Sequence, residues 1–408
     1  MLKGLSHACK MRQFFFFTVL FNKIRYREVD YMKKKVYTFT KEHTSIAKGV
    51  AIVLMIIHHL FRVPERIQNV SYISVVPFWK INFEYWFADF GKICVAIYFL
   101  LSGYGLYVIY TKKQQFTFKD SIQRVFNFLI NYWVVFVIFI PVGLIWFESN
   151  SRYHWDLKIF LENFFILRNS YSDEWWVVKV YIELVLIFPI VKYIVKKSTI
   201  GSFVLSLFLY FVSIYPSLLN NIIFQPLHIK NELLIADITN LMYWQIVFCT
   251  GALIAKLDFF KAANKFLDRI RISNKFICII GILIIAFIRI VVSREFILIG
   301  RAYSTYIDFI IAPFFILFCT NLIFSTKFKK VFLVLGKHST NIWLTHTFFA
   351  YHYYQKLVFM PKLSVLIVIW LLILSLASSI VINYIIAGFY NLGSMVESVS
   401  KRKSIYEQ

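Results

Sequence analysis

The chain is poor in charge and poorer still in acid. Only 16% of its 408 residues are Asp, Glu, Lys or Arg, against about 25% in a soluble domain. Lys and Arg outnumber Asp and Glu by 45 to 21. Hydrophobic residues fill 59% of the sequence and aromatics 20%, a balance that excludes an ordinary soluble domain. The five cysteines, Cys9, Cys94, Cys249, Cys278 and Cys319, form no C-x-x-C pair, and four of them lie in apolar stretches. Neither a disulfide framework nor a metal site is implied. Cys9 follows no apolar leader, so a lipoprotein signal is not expected. Internal repeats and Gly/Ser-rich linkers are missing too. Loops between the apolar stretches are short, which leaves no room for a soluble catalytic domain. Any chemistry falls to the apolar segments and their ends.

What is present is a series of apolar stretches of bilayer-crossing length, about 20 residues each. Ten are read, near 46–62, 92–110, 126–147, 175–195, 200–219, 241–257, 275–293, 303–324, 339–355 and 363–388. The expected fold is an all-α polytopic membrane protein of about ten transmembrane helices. With both termini placed in the cytoplasm, the inner segments carry 30 Lys and Arg and the outer segments 13, the sign that the positive-inside rule requires. The net charge of +24 would suggest nucleic acid in a soluble chain. Here the charges sit in short loops beside the bilayer, and no nucleic-acid partner is expected.

Three regions follow: a cytoplasmic extension over 1–43, an integral membrane domain over 44–390 and a cytoplasmic tail over 391–408. Met32, just before Lys33-Lys34-Lys35, is an alternative start; the run Phe14-Phe15-Phe16-Phe17 is too short to cross. The stretch 157–167 is also too short, and reads as an amphipathic helix at the outer interface.

The first apolar stretch starts beside Lys48 and ends at His58-His59. Eleven residues separate Lys48 from His59, and eleven steps of 100° overshoot three turns by only about 20°. The two side chains therefore share a helix face, about 16 Å apart along the axis, while His58 points elsewhere. An ionisable group at membrane depth usually faces a polar interior. Lysine can hold a phosphate or anchor the helix at the interface. Histidine can exchange a proton near neutral pH or serve as a structural hydrogen-bonding residue. Spacing alone leaves both readings open.

Three further stretches bear on this choice. One is Cys94-Val95-Ala96-Ile97-Tyr98-Phe99-Leu100-Leu101-Ser102-Gly103-Tyr104. A second is Trp176, followed thirteen residues later by Pro189 in Leu186-Ile187-Phe188-Pro189. The third is Leu335-Gly336-Lys337-His338-Ser339-Thr340-Asn341-Ile342-Trp343-Leu344-Thr345-His346. In this order, and together with Lys48 and His59, they resemble acyltransferase family 3, the bacterial membrane O-acyltransferases. The likeness extends from about residue 44 to 388.

The resemblance implies a ten-span core in a bacterial inner or plasma membrane. It implies transfer of an acyl group, most often acetyl from acetyl-CoA, to a sugar hydroxyl of a capsule, exopolysaccharide or O-antigen. No bound cofactor is expected; acyl-CoA is the donor substrate and a saccharide or lipid-linked glycan the acceptor. His59 becomes the catalytic histidine, as general base or as a nucleophile that carries the acyl group. Lys48 and Arg124 become the groups that meet the phosphates of acyl-CoA. Lys48 stands where the family usually has Arg, and Arg124-Val125-Phe126-Asn127 keeps only the first arginine of an R-x-x-R pair. Lys112, Lys113 and Lys119 nearby read as a solvated inner loop.

Ser102 lacks the G-x-S-x-G elbow of a nucleophile. Gly103 is expected to let two helices approach closely, and Ser102 to hydrogen-bond across that interface. Trp176 is either an aromatic-belt residue or part of the acceptor site. Glu183 is expected to pair with Lys179 one turn away. His346, placed about two turns from the cytoplasmic edge, either makes a structural hydrogen bond or shapes the donor pocket. Tyr351, His352, Tyr353 and Tyr354 read as interfacial. Some family members carry a further esterase-like domain; ending soon after its last span, this chain is expected to acylate its acceptor itself or to pass the group to a partner. The competing class is a transporter or flippase of glycan precursors, or a glycan polymerase. A transporter would more often show inverted repeats or broken helices at matching places in two halves, and neither is visible.

Overall fold

The computed structural model describes residues 38–76, 82–113, 116–147, 150–270, 274–295, 297–298, 301–302 and 305–406. The expectations about residues 1–31 and the start at Met32 lie outside them. Thirteen helices of eight residues or more carry the architecture of the described residues. They are α1 (Lys41–Phe61), α2 (Phe83–Gly91), α3 (Ile93–Lys112), α4 (Phe118–Trp146), α5 (Leu157–Phe164), α6 (Trp176–Lys197) and α7 (Thr199–Ile214). The rest are α8 (Glu232–Lys256), α9 (Phe259–Arg269), α10 (Asn274–Glu295), α11 (Asp308–Phe324), α12 (Lys329–Thr347) and α13 (Ser364–Tyr406). A two-residue antiparallel pairing of Ile297–Leu298 with Arg301–Ala302 interrupts the helical pattern between α10 and α11.

Each of the ten apolar stretches coincides with a helix, and six of those helices are long and apolar enough to cross a membrane: α1, α2 with α3, α4, α8, α10 and α13 to Phe389. Two more, α7 and α11, are apolar but shorter. Burial divides the six. The apolar windows of α1, α2–α3 and α8 are 67%, 61% and 61% buried; those of α10, α13 and α4 are 17%, 28% and 33% buried. The first group forms the interior. The second turns Phe276, Leu283, Phe287, Val381 and Tyr384 outward, an apolar exterior that a soluble protein would not present but lipid accepts.

At the centre, α1 is packed by α2, α3, α11, α12 and α13. Its contact with α12 is backbone on backbone. A methyl group on Gly49 would meet the Phe332 carbonyl, and one on Gly336 would meet the Ser45 carbonyl. The crossing of α3 and α8 repeats the device, with Gly103 against the Phe248 carbonyl and Gly251 against the Leu100 carbonyl. Small residues at such crossings allow the close approach that holds helices together in lipid. The expected role of Gly103 is thus the observed one.

Several helices start earlier than the apolar stretches suggest, α8 at Glu232 against 241 among them. Helix α4 begins at Phe118, not near 126, because Asp120 reaches back to accept the Thr117 backbone N–H at 2.7 Å and its hydroxyl at 3.0 Å. Arg124 therefore stands within the helix. Helix α12 begins at Lys329, ten residues before the expected 339. Its polar residues look inward: His338 Nδ1 lies 2.9 Å from Ser379 Oγ, and the Asn341 amide donates to Asn383 at 2.9 Å, both on α13. This corrects the placement of His346. It lies near the end of α12, far from the Lys329 end and level with the end of α1. The stretch 157–167 is helical over Leu157–Phe164, as α5, capped by Asp156, which accepts from the Ile159 N–H at 2.8 Å. The final helix continues past 390 as far as Tyr406.

Candidate active site

Lys48 and Arg124 reach the wall of one cavity from α1 and α4. Its other walls include Met55 of α1, Ser102 of α3, Tyr181 of α6 and Trp343 of α12. The space measures about 740 Å³ with its open mouth included. Arg124 Nε donates to the Tyr181 hydroxyl at 3.4 Å. The Tyr98 hydroxyl donates to the Lys48 carbonyl at 3.3 Å, and its ring stacks on Trp343 at 6.4 Å. Among the described residues no carboxylate forms an ion pair with Lys48 or Arg124. Two cations facing a partly apolar cavity without a protein anion can hold an anionic group there.

Met55 and Trp343 are the cavity-lining residues of α1 and α12 nearest the histidines. One turn further along α1 stands His59, and one turn further along α12 stands His346. Their rings meet: His59 Nδ1 and His346 Nε2 are 2.8 Å apart, with centroids at 4.8 Å. His346 is buried and His59 partly accessible. His346 Nδ1 donates to the Trp343 carbonyl at 2.8 Å. His58 turns away to α2, where its Nδ1 donates to the Ala88 carbonyl at 2.8 Å. The sequence-derived face of Lys48 and His59 is thus one side of α1, with the cavity along it.

Beyond the histidines lies a charged cluster that the sequence reading missed. Arg66 donates to Glu174 at 2.7 Å and to the Tyr351 hydroxyl at 2.9 Å, with its guanidinium 4.9 Å from the Tyr351 ring centre. Tyr351 is therefore a hydrogen-bond and cation–π partner of Arg66. Burial alone would push the Glu174 carboxyl up; a Tyr351 hydrogen bond and the Arg66 guanidinium hold it instead well below the ordinary range. Arg152 is likewise raised, by its bonds to Asp173 at 2.8 and 3.0 Å. The sequence did carry a signal here: acids are scarce, and Asp173-Glu174 stands directly ahead of an apolar stretch.

The remaining candidates separate. Ser102 lines the cavity, but its buried hydroxyl finds no hydrogen-bond partner among the described residues. It does not bond across the α3–α8 interface, because the backbones already touch at Gly103 and its own side chain is turned to the cavity. Trp176 lies off the cavity wall and packs on Trp244 at 5.8 Å. Its neighbour Trp175 is the one anchored to α12, donating to the Leu344 carbonyl at 3.2 Å. Lys179 pairs with Asp237 of α8, not with Glu183, whose Oε2 is left without a partner among the described residues.

Helices long enough to cross a membrane, a cavity with two cations on its wall and a histidine pair one turn beyond it make up the candidate site. The family model of the acyltransferase domain of acyltransferase family 3 matches residues 45–387, and the chain belongs to that family. No curated protein and no solved structure matches it.

Proposed function

We propose that this membrane acyltransferase moves an acetyl group from acetyl-CoA to a sugar hydroxyl of a bacterial cell-surface polysaccharide. The observation that carries the reading is the cavity itself: Lys48 and Arg124 lack a protein counter-ion at one end, and His59 with His346 stands one turn beyond the other. The phosphates of CoA suit the two cations, and the acyl-pantetheine arm suits the apolar stretch between Tyr98, Met55 and Trp343. The excess of Lys and Arg in segments at the Lys48 end supports a cytoplasmic donor side, which is where acyl-CoA is found.

His59 then acts as general base. The acceptor hydroxyl loses its proton to the imidazole as its oxygen attacks the thioester carbonyl. The carbon–sulfur bond breaks, and the CoA sulfur leaves with the proton that His59 took. Arg66, Glu174 and Tyr351 lie on the acceptor side of the histidines.

The test is O-acetylation of the surface polysaccharide, read by proton NMR in cells producing the wild type, His59→Ala or Lys48→Ala at matched protein levels. Loss of the acetyl signal with the polymer intact is the expected result. Unchanged acetylation in His59→Ala would overturn the assignment. Disappearance of the whole polymer would move the reading to a flippase or polymerase.

A further inference from the structure

We propose that His346 is a positioning residue that fixes the ring tautomer of His59 and leaves His59 Nε2 as the proton-accepting atom. The argument starts from a carbonyl. The Trp343 oxygen can only accept, so the His346 nitrogen facing it at 2.8 Å, Nδ1, carries a hydrogen. A neutral imidazole has one N–H, so His346 Nε2 presents its lone pair. The nitrogen facing that lone pair at 2.8 Å is His59 Nδ1, which must therefore be the donor. His59 is then neutral with its hydrogen on Nδ1, and its Nε2 is bare. Among the described residues Nε2 makes no hydrogen bond, and His59 is not fully buried.

The opposite proton order would require a doubly protonated His346 in a wholly buried site, which is strongly disfavoured without a bonded anion. The backbone carbonyl thus orders two rings in series. A free imidazole has no such constraint. The logic is that of an orienting group behind a catalytic base, with a second histidine in place of a carboxylate. It also spreads charge. When Nε2 takes the hydroxyl proton, the Nδ1 proton can shift towards His346 Nε2, so the cation is shared along the chain. The proton on Nε2 returns with the departing sulfur, and the pair ends as it began.

The inference rests on the proposed transfer only for the source of that proton; the tautomer itself can be read without turnover. Full-length protein in lipid nanodiscs, labelled with nitrogen-15 at the histidine ring nitrogens, gives separate signals for protonated and bare nitrogens. The signals of His59, among nine histidines, are those lost in His59→Asn. The expected wild-type spectrum has Nδ1 of His59 protonated and Nε2 bare. In His346→Leu the hydrogen moves to Nε2, and in His346→Gln, whose amide oxygen can still accept from Nδ1, it stays. A wild-type His59 protonated on Nε2 would overturn the inference outright, as would an unchanged His59 in a folded His346→Leu protein. Neither result bears on whether acetyl-CoA is the donor, which the polysaccharide experiment decides alone.

Discussion

Arg289 and Asp308 face each other through two hydrogen bonds, of 2.8 and 3.0 Å, with neither side chain exposed. The guanidinium also donates to the carbonyls of Asp89 and Phe90 at 2.8 Å each, where α2 gives way to α3. One buried cation thus ties α10 to α11 and closes the break between two other helices. Removing a single member leaves a buried charge without its partner, at a cost of about 3–5 kcal/mol. Arg289→Met is expected to unfold at a markedly lower temperature in detergent. The double change Arg289→Met with Asp308→Leu should recover part of the loss but not all, because the Asp89 and Phe90 carbonyls lose the guanidinium bonds and keep only the Lys92 N–H. Full recovery would show that those carbonyl bonds contribute nothing.

The cavity cations give a second expectation. A hydrogen bond to a charged group contributes about 1.5–3 kcal/mol, which is about ten- to a hundredfold in affinity. If acetyl-CoA is the donor as proposed, Lys48→Met and Arg124→Met should each raise its KM by at least tenfold and leave the KM for the acceptor alone. Lys48→Arg should retain the affinity, since it keeps the charge and adds donors. Initial rates with donor and acceptor varied separately provide the check.

Lys179, Asp237 and Glu183 make a third case. The pair is about three-quarters buried, at 26% and 23% side-chain exposure, while Glu183 Oε2 lacks a partner. Asp237→Asn should lower stability by about 1–3 kcal/mol, the cost of an unsatisfied buried partner. Glu183→Gln should be neutral or mildly stabilising. Thermal melts of the two variants side by side settle the order, and equal losses would mean that Glu183 also contributes to the pair.

Glu174 sets a pH dependence. Its folded-state carboxyl is held below the ordinary value, so its contribution to stability is complete above that ordinary value, about 4.3. The contribution is lost as the pH falls below it towards the folded-state value. Wild type should therefore melt higher than Glu174→Gln at pH 6, and the gap should narrow steadily below about pH 4.3. A gap that is constant with pH would assign the difference to packing.

Much of the helical plan is legible in the sequence because it depends on local composition. Apolar runs mark the helices, and the eleven-residue step from Lys48 to His59 marks a shared face. What escaped was pairing between distant segments. The polar residues Lys337 and His338 look like a loop until Ser379 of α13 is set beside them. Lys179 finds its acid 58 residues away, not four. The His59–His346 contact joins residues 287 apart, and no periodicity within either segment encodes it. Ser102 was assigned a bond that its orientation forbids. Arg66 and Glu174, each unremarkable alone, gain meaning only from their 2.7 Å contact.

The two glycine crossings have a mechanical consequence. Where Gly49 and Gly336 set the backbones of α1 and α12 against each other, no flexible side chain remains between them to yield. The same holds for α3 and α8 at Gly103 and Gly251. The half of the cavity that carries Lys48, Met55, Ser102 and Trp343 is therefore a stiff frame, and the spacing of the histidines is built into it. The opposite side, formed by α4 and α6 through Arg124, Phe128 and Tyr181, meets its neighbours through side chains, and α4 has one of the least buried apolar windows of the six. Widening of the cavity is therefore easiest on that side, as a gate swings on a fixed post.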